Sequence, residues 1–162
     1  QVKGHKYLLD AFEQVCQQRD DLHLVIIGGG DLEDQLRTQV KDLNLMDRVT
    51  MTGAKSDAYR YLKAMDIFTL SSLSEGLPIA MLEAICARVP VVGTNVGGIP
   101  ELIPDNQFIA EPQNSQSIAV VIQRLLELSE DERHDYILKL EAKILDSFSI
   151  EKYHQNFQSL VL

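Results

Sequence analysis

Tryptophan is missing from the 162 residues, aromatic side chains make up only 6%, and cysteine occurs twice. Two thiols cannot build a disulfide scaffold; Cys16 and Cys86 lie among apolar residues and read as buried and reduced. There is no CxxC or HExxH, and His5, His23, His134 and His154 are scattered, so no metal centre is expected. No apolar run approaches the ~20 residues of a membrane span, and no signal peptide opens the chain. Basic residues are also scarce. Fifteen Lys and Arg against 24 Asp and Glu leave a net charge of −9, which argues against nucleic-acid or anionic-membrane binding. A small phosphate ligand held by one or two local cations is still allowed. What the chain does have is 45% apolar residues, enough for one core in one domain-sized unit, which excludes disorder and low complexity. It opens at Gln1-Val2-Lys3-Gly4 without a methionine and is expected to be a piece of something longer.

Hydrophobic periodicity alternates between helix and strand. Tyr7, Leu8, Ala11, Phe12, Val15 and Cys16 predict a helix over about 5–18. Leu22–Ile27 predicts a buried strand ending in the turn Gly28-Gly29-Gly30. A helix capped by Asp31, a strand at Arg48–Gly53 and a short helix capped by Ser56 follow. The second half repeats the rhythm: a strand Ile67–Leu70, a helix Pro78–Arg88, a strand Pro90–Thr94, a Gly97-Gly98 loop, one helical turn near Glu101–Ile103, and a strand Gln107–Ala110. Three helices are expected to close the chain. One is capped by Ser115, one opens with a Ser129/Glu132 capping box, and one carries Ile150, Tyr153, Phe157 and Leu160. This alternation predicts an α/β, Rossmann-like, doubly wound parallel sheet, whose ligand lies beyond the carboxyl ends of the strands.

The loops after Ile27, Thr52, Leu70 and Thr94 are therefore the places to search, and Ser74–Ala84 is the richest. Pro78 suits the first helical position, leaving the next free amides pointing out of a helix N-terminus, while Gly76 lets a ligand approach the backbone. That is an anion site or an ordinary strand–helix turn. Glu83 lies in a helix, IAMLEAICA, that is apolar nearly all round and is expected to be buried. Arg88 is five residues on, about 140° round the helix, so it does not face Glu83. Either ligand hydroxyls or a cation on another element must satisfy that carboxylate. Glu75 alone reads as a solvated loop acid, and Lys3 as a plausible phosphate contact. Gly28–Gly30 permits close approach but is no dinucleotide fingerprint, since position 33 is Glu33, and no Walker lysine follows.

Taken together, these segments resemble the C-terminal, nucleotide-sugar-binding domain of GT-B-fold retaining glycosyltransferases of family 4, the glycosyl transferases group 1. The resemblance rests on Lys3-Gly4, LVIIGGGDLEDQL, RVTMTG, DIFTLSSLSEGLPIAMLEAICARVPVVGTNVGGIPELI and SFSIEKY. Its most specific element is Glu75 and Glu83 with seven residues between them, Gly76, Pro78 and Ala84 being in place.

The resemblance implies roles. Glu83 would bond the donor's ribose hydroxyls, and Glu75 would lie near the transferred sugar. Amides around the Leu77–Pro78 turn and Ile79 would face sugar and phosphates, and Lys3 would neutralise the diphosphate. Gly28, Gly29, Gly53, Ala54 and Lys55 would border the base. It implies transfer of a hexosyl group from a nucleotide-sugar donor to a glycan or lipid-linked acceptor, with no cofactor and no metal. An absent N-terminal domain would supply the acceptor site, so the fragment alone is expected not to turn over. The last helix would pack towards that domain or cover its own. A central strand before Lys3, between LHLVII and IFTL, is expected to be missing. The location implied is cytoplasmic, or peripheral at the inner membrane face. Two alternatives stand beside this reading: a nucleotide-sugar epimerase of similar architecture, and a non-catalytic nucleotide-sugar-binding module.

Overall fold

The computed structural model describes residues 2–148. The expected final helix with Ile150, Tyr153, Phe157 and Leu160 lies outside the described residues. Helix α1 spans His5–Cys16, β1 Leu24–Ile26, α2 Glu33–Asp42 and β2 Val49–Met51. After a 3₁₀ segment, Ala58–Ala64, come β3 Phe68–Leu70, α3 Ile79–Cys86, β4 Val91–Thr94 and α4 Ile99–Leu102. Strand β5, Ile109–Ala110, precedes α5, Ser115–Glu127, and α6, Glu130–Phe148.

All named strands pair in parallel, as the alternation requires, but in two sheets: β1 with β2, and β3–β4–β5. Val25 on β1, which pairs on one side, is 39% exposed, whereas β4, paired on both sides, is buried throughout. Each sheet has its own core. Leu8, Ala11 and Val15 of α1 join the larger core with Met81, Ile85, Val91, Leu125 and Leu140. Leu9 and Phe12 of the same helix join the smaller one with Ile26, Leu36, Val40 and Val49. One helix thus presents two apolar faces and ties the halves together.

Several caps differ from expectation. Leu32, not Asp31, occupies the cap position of α2 and supplies no side-chain bond; Glu33 and Asp34 in the first turn complement the helix dipole instead. Ser56 is likewise displaced by Asp57 before the 3₁₀ segment, again without a side-chain cap bond. Ser115 is already helical, so Asn114, in extended backbone, caps α5 by accepting from the Ser117 amide at 3.0 Å. The Ser129/Glu132 capping box forms as expected, with Ser129 N–H donating to Glu132 Oε2 at 2.9 Å and Glu132 N–H to Ser129 Oγ at 3.3 Å. Cys16 is half-buried and Cys86 is exposed, contrary to the expectation of two buried thiols.

Helix α6 is locked onto the larger core by Tyr136. Its ring lies 4.3 Å from that of Phe108, and its buried hydroxyl donates to the Val91 carbonyl at 2.7 Å. Burial drives that phenol far above its ordinary pKa, so it is a neutral donor throughout the working pH range. Tyr136→Phe keeps the ring but orphans a bond to central strand β4. The expected loss, about 1–2 kcal/mol, is measured by chemical denaturation.

Candidate functional site

The first residues of the chain are threaded against the carboxyl end of β3. Leu73 N–H donates to the Val2 carbonyl at 2.7 Å, and Ser71 Oγ donates to the Lys3 carbonyl at 2.9 Å. Gly4 turns the chain into α1 with φ +62, and a Cβ there would lie 2.0 Å from the Ser71 carbonyl oxygen. The Lys3 side chain is thereby delivered to Glu75, Nζ to Oε1 at 2.6 Å. The lysine is 54% exposed but the acid only 8%.

Glu75 is held from two more directions. Ser72 Oγ donates to the same Oε1 at 2.7 Å, and the Ser72 carbonyl accepts from Thr94 Oγ1 at 2.6 Å. Behind the loop runs the turn after β4. Gly97 has φ +52, and a Cβ on it would lie 1.8 Å from the Glu75 carbonyl oxygen, while Gly98 N–H donates to the Gly76 carbonyl at 3.0 Å. Burial raises the Glu75 pKa, but hydrogen bonds from Lys3 and Ser72 and the Lys3 charge outweigh it, so the carboxyl stays below the ordinary glutamate range. Glu75 is therefore not the solvated loop acid that it resembles in isolation.

At the start of α3 the structure departs from expectation by one position. Pro78 caps the helix and is buried, rather than occupying its first turn. The Ile79 amide is consumed by the Leu77 carbonyl at 3.0 Å, and those of Met81 and Leu82 by the Pro78 carbonyl. Among the described residues, the amides of Gly76, Leu77 and Ala80 find no acceptor in the protein, and all three residues are exposed. Unpaired amides at a helix N-terminus are free to receive an anion.

Glu83 is exposed, which corrects the expectation of burial. The helix is apolar on nearly every side, yet it buries only Met81, Ala84 and Ile85; Ile79, Ala80, Glu83 and Cys86 share an open face. Burial therefore creates no demand for a partner. Nor does a cation cover the acid: among the described residues Glu83 makes no ion pair, and Arg88 pairs with Glu141 at 3.3 Å. Helical geometry places Glu83 on the same face as Ala80, about 4.5 Å further along the axis.

The remaining candidates form a second group. Gly28 N–H donates to the Gly53 carbonyl at 3.0 Å, joining the loops after β1 and β2. A Cβ on Gly29 would lie 3.3 Å from the Ala54 amide nitrogen, and Lys55 is exposed with no ion pair among the described residues. No hydrogen bond or ion pair among the described residues joins this group to Lys3 and Glu75. Two concavities, of about 340 and 200 Å³, lie elsewhere, between α1 and α5 and beside Tyr136. At the candidate site Gly76, Leu77, Ala80 and Glu83 are exposed.

Residue-by-residue reasoning misses Ser71, Ser72 and Thr94, and it leaves Gly97 and Gly98 as a plain loop. A signal was present. Polar side chains directly after an apolar strand must find partners if buried. Among the described residues these three are the fully buried polar side chains, and all three serve the Lys3–Glu75 loop or the strand end beneath it.

Comparison with known proteins follows the same lines. The family model "Glycosyl transferases group 1" matches residues 1–140, so the chain belongs to that family. It is 36% identical over 157 residues to the amylovoran biosynthesis glycosyltransferase AmsK of Erwinia amylovora, covering 91% of this chain and 38% of that protein. An Escherichia coli UDP-Gal:alpha-D-GlcNAc-diphosphoundecaprenol alpha-1,3-galactosyltransferase is 29% identical, with 99% of this chain and 42% of that protein covered. Among solved structures, a mutant of TarM from S. aureus, in complex with Fondaparinux, alpha-GlcNAc-glycerol and UDP, superposes with a TM-score of 0.87 at 22% identity, over 99% of this chain and 33% of that one. The C-terminal domain of a group 1 glycosyl transferase from Francisella tularensis gives 0.79 at 24%, over 92% of this chain and 81% of that one. The fold is the Rossmann-like C-terminal domain of a GT-B glycosyltransferase. The chain spans less than half the length of the two curated relatives.

Two outcomes follow from the geometry. Gly97→Ala puts a methyl into the Glu75 carbonyl at a left-handed backbone position, and calorimetric unfolding should show a loss of about 2–4 kcal/mol. The Lys3–Glu75 pair is complete above the ordinary glutamate value of about 4.5 and is lost as pH falls through the lower folded-state value. Carboxyl-carbon NMR should therefore place the Glu75 midpoint below 4.5. Lys3→Met should move that midpoint upward.

Proposed function

We propose that this chain binds the nucleotide-sugar donor of a retaining glycosyltransferase that passes a hexosyl group to a glycan or lipid-linked acceptor. The observation that carries the reading is the meeting of one lysine, three unpaired amides and a guarded carboxylate at the start of α3. A nucleoside diphosphate sugar matches it: two phosphates for the cation and amides, hydroxyls for the acids.

In the reaction, negative charge grows on the departing diphosphate while the sugar becomes oxocarbenium-like. Lys3 and the amides of Gly76, Leu77 and Ala80 offset the growing charge, assisted by the α3 dipole. This assigns the leaving group to Lys3 and the amides, with no metal in the scheme. Glu75 stands beside the transferred sugar. Glu83, exposed one turn along α3, receives the ribose hydroxyls, and Gly28, Gly29, Gly53, Ala54 and Lys55 border the base. In this reading the Ile79 side chain, rather than its engaged amide, lines the donor surface.

The relatives lend support. The E. coli relative is named for UDP-Gal, and TarM and HepE of Anabaena were each crystallised with UDP. The exposure of Gly76, Leu77, Ala80 and Glu83 and the greater length of the relatives support a second domain that supplies the other wall, the acceptor site and access to a cytoplasmic or membrane-surface acceptor. No helix among the described residues is long and apolar enough to cross a membrane.

Calorimetry with UDP, GDP and ADP, alone and as their sugars, tests the reading. One of the three should bind, and Glu83→Gln should weaken it about tenfold, the worth of one hydrogen bond to a charged group. Failure of all three to bind overturns the proposal. With radiolabelled donor, residues 1–162 alone should neither transfer nor hydrolyse the sugar, and sustained turnover would refute the need for a second wall.

A further inference from the structure

We infer that Glu75 is a positioning residue for Lys3, with Ser72 behind it, so that diphosphate affinity depends on an acid that touches no phosphate. The inference rests on the donor-binding reading above and assigns the acid a second task beside the sugar.

The two carboxylate oxygens of Glu75 are unequally used. Oε1 receives both Lys3 Nζ at 2.6 Å and Ser72 Oγ at 2.7 Å, whereas Oε2 makes no hydrogen bond among the described residues. One oxygen faces the protein's own cation, and the other is left for a ligand. The lysine needs such a tether. Its main chain is fixed through the bonds to Ser71 and Leu73, but its side chain is long and 54% exposed, and without a partner it would sample many rotamers. Glu75, 8% exposed and itself held by Ser72, selects one. An ammonium has three N–H donors, and the bond to Glu75 uses one. The other two are available to phosphate oxygens in a geometry set before the ligand arrives.

A purely electrostatic view predicts the opposite sign. A carboxylate beside a diphosphate site repels it, so removing Glu75 would tighten binding of a sugar-free nucleotide. A carboxylate that only contacts sugar would leave such binding unchanged. Positioning predicts weakening.

The test is calorimetric titration of the intact protein with UDP lacking any sugar, or with GDP or ADP if the wild type prefers them. Glu75→Ala should weaken binding about tenfold, and Glu75→Gln, which keeps an acceptor for the ammonium, should recover part of that loss. Ser72→Ala should weaken binding about threefold. Lys3→Met/Glu75→Ala should bind no worse than Lys3→Met, because the acid acts only through the lysine. Unchanged or tighter binding by Glu75→Ala overturns the inference, as does additivity in the double variant. Ser72 is fully buried, so thermal melting accompanies that variant, and if it does not fold, the Lys3–Glu75 cycle decides alone. Wild-type protein that binds none of the three nucleotides defeats the donor reading instead, and the inference with it.

Discussion

A carboxylate withdrawn from water at the end of a β-strand must be answered by the protein, and here the answer organises everything around it. Ser72 and Lys3 both bond to Glu75 Oε1. To bring them there, Ser71 fastens the Lys3 carbonyl, Thr94 fastens the Ser72 carbonyl, and Gly97 clears space for the Glu75 carbonyl. These contacts come from four segments: the chain before α1, the end of β3, the end of β4 and the turn beyond it. The site is thus where tertiary structure closes on itself. The same loop runs straight into α3, so fixing Glu75 also fixes the first amides of that helix. A charged anchor and a set of dipoles are placed by one set of bonds.

Much of this is legible in the residues, and the failures have physical causes. The βα alternation follows from periodicity, and each strand lies within three residues of its expected ends because apolar runs include flanks that are half-buried but outside the strand pairing, such as Leu22 and Ile67. The parallel pairing of the strands also follows from the alternation. Caps are harder. Asp31 and Ser115 are good capping residues, but the helices start where the backbone turns, and Asn114 is better placed. Only the Ser129/Glu132 box, with two reciprocal bonds, carries enough information to be placed correctly.

Glu83 is the instructive case. An apolar helix around an acid implies burial, yet its outward face is open, so burial gives no reason for Glu83 to have a partner while its candidacy stands on placement beside Ala80. Periodicity measures how apolar a face is, not whether the chain in hand covers it. Leu77 and Ile79 make the same point: both are apolar, yet they are 49% and 56% exposed. Conversely, Glu75 looks bland because its partners are distant in sequence; the Lys3 contact spans 72 positions. No local pattern reports such a pairing, although the two serines after β3 hint at buried polar demand.

The double allegiance of α1 has a consequence of its own. Leu8, Ala11 and Val15 belong to one core, Leu9 and Phe12 to the other, and the loops at Gly28 and Gly53 ride on the smaller lobe while Lys3 and Glu75 ride on the larger. The distance between these two patches is therefore set in part by the roll of α1, beside Leu22 and Leu24, which also pack against both cores. A molecule long enough to touch both reads that roll as a ruler. Repacking Leu8, Leu9, Ala11 and Phe12 of α1 would rescale it without altering a side chain of either patch.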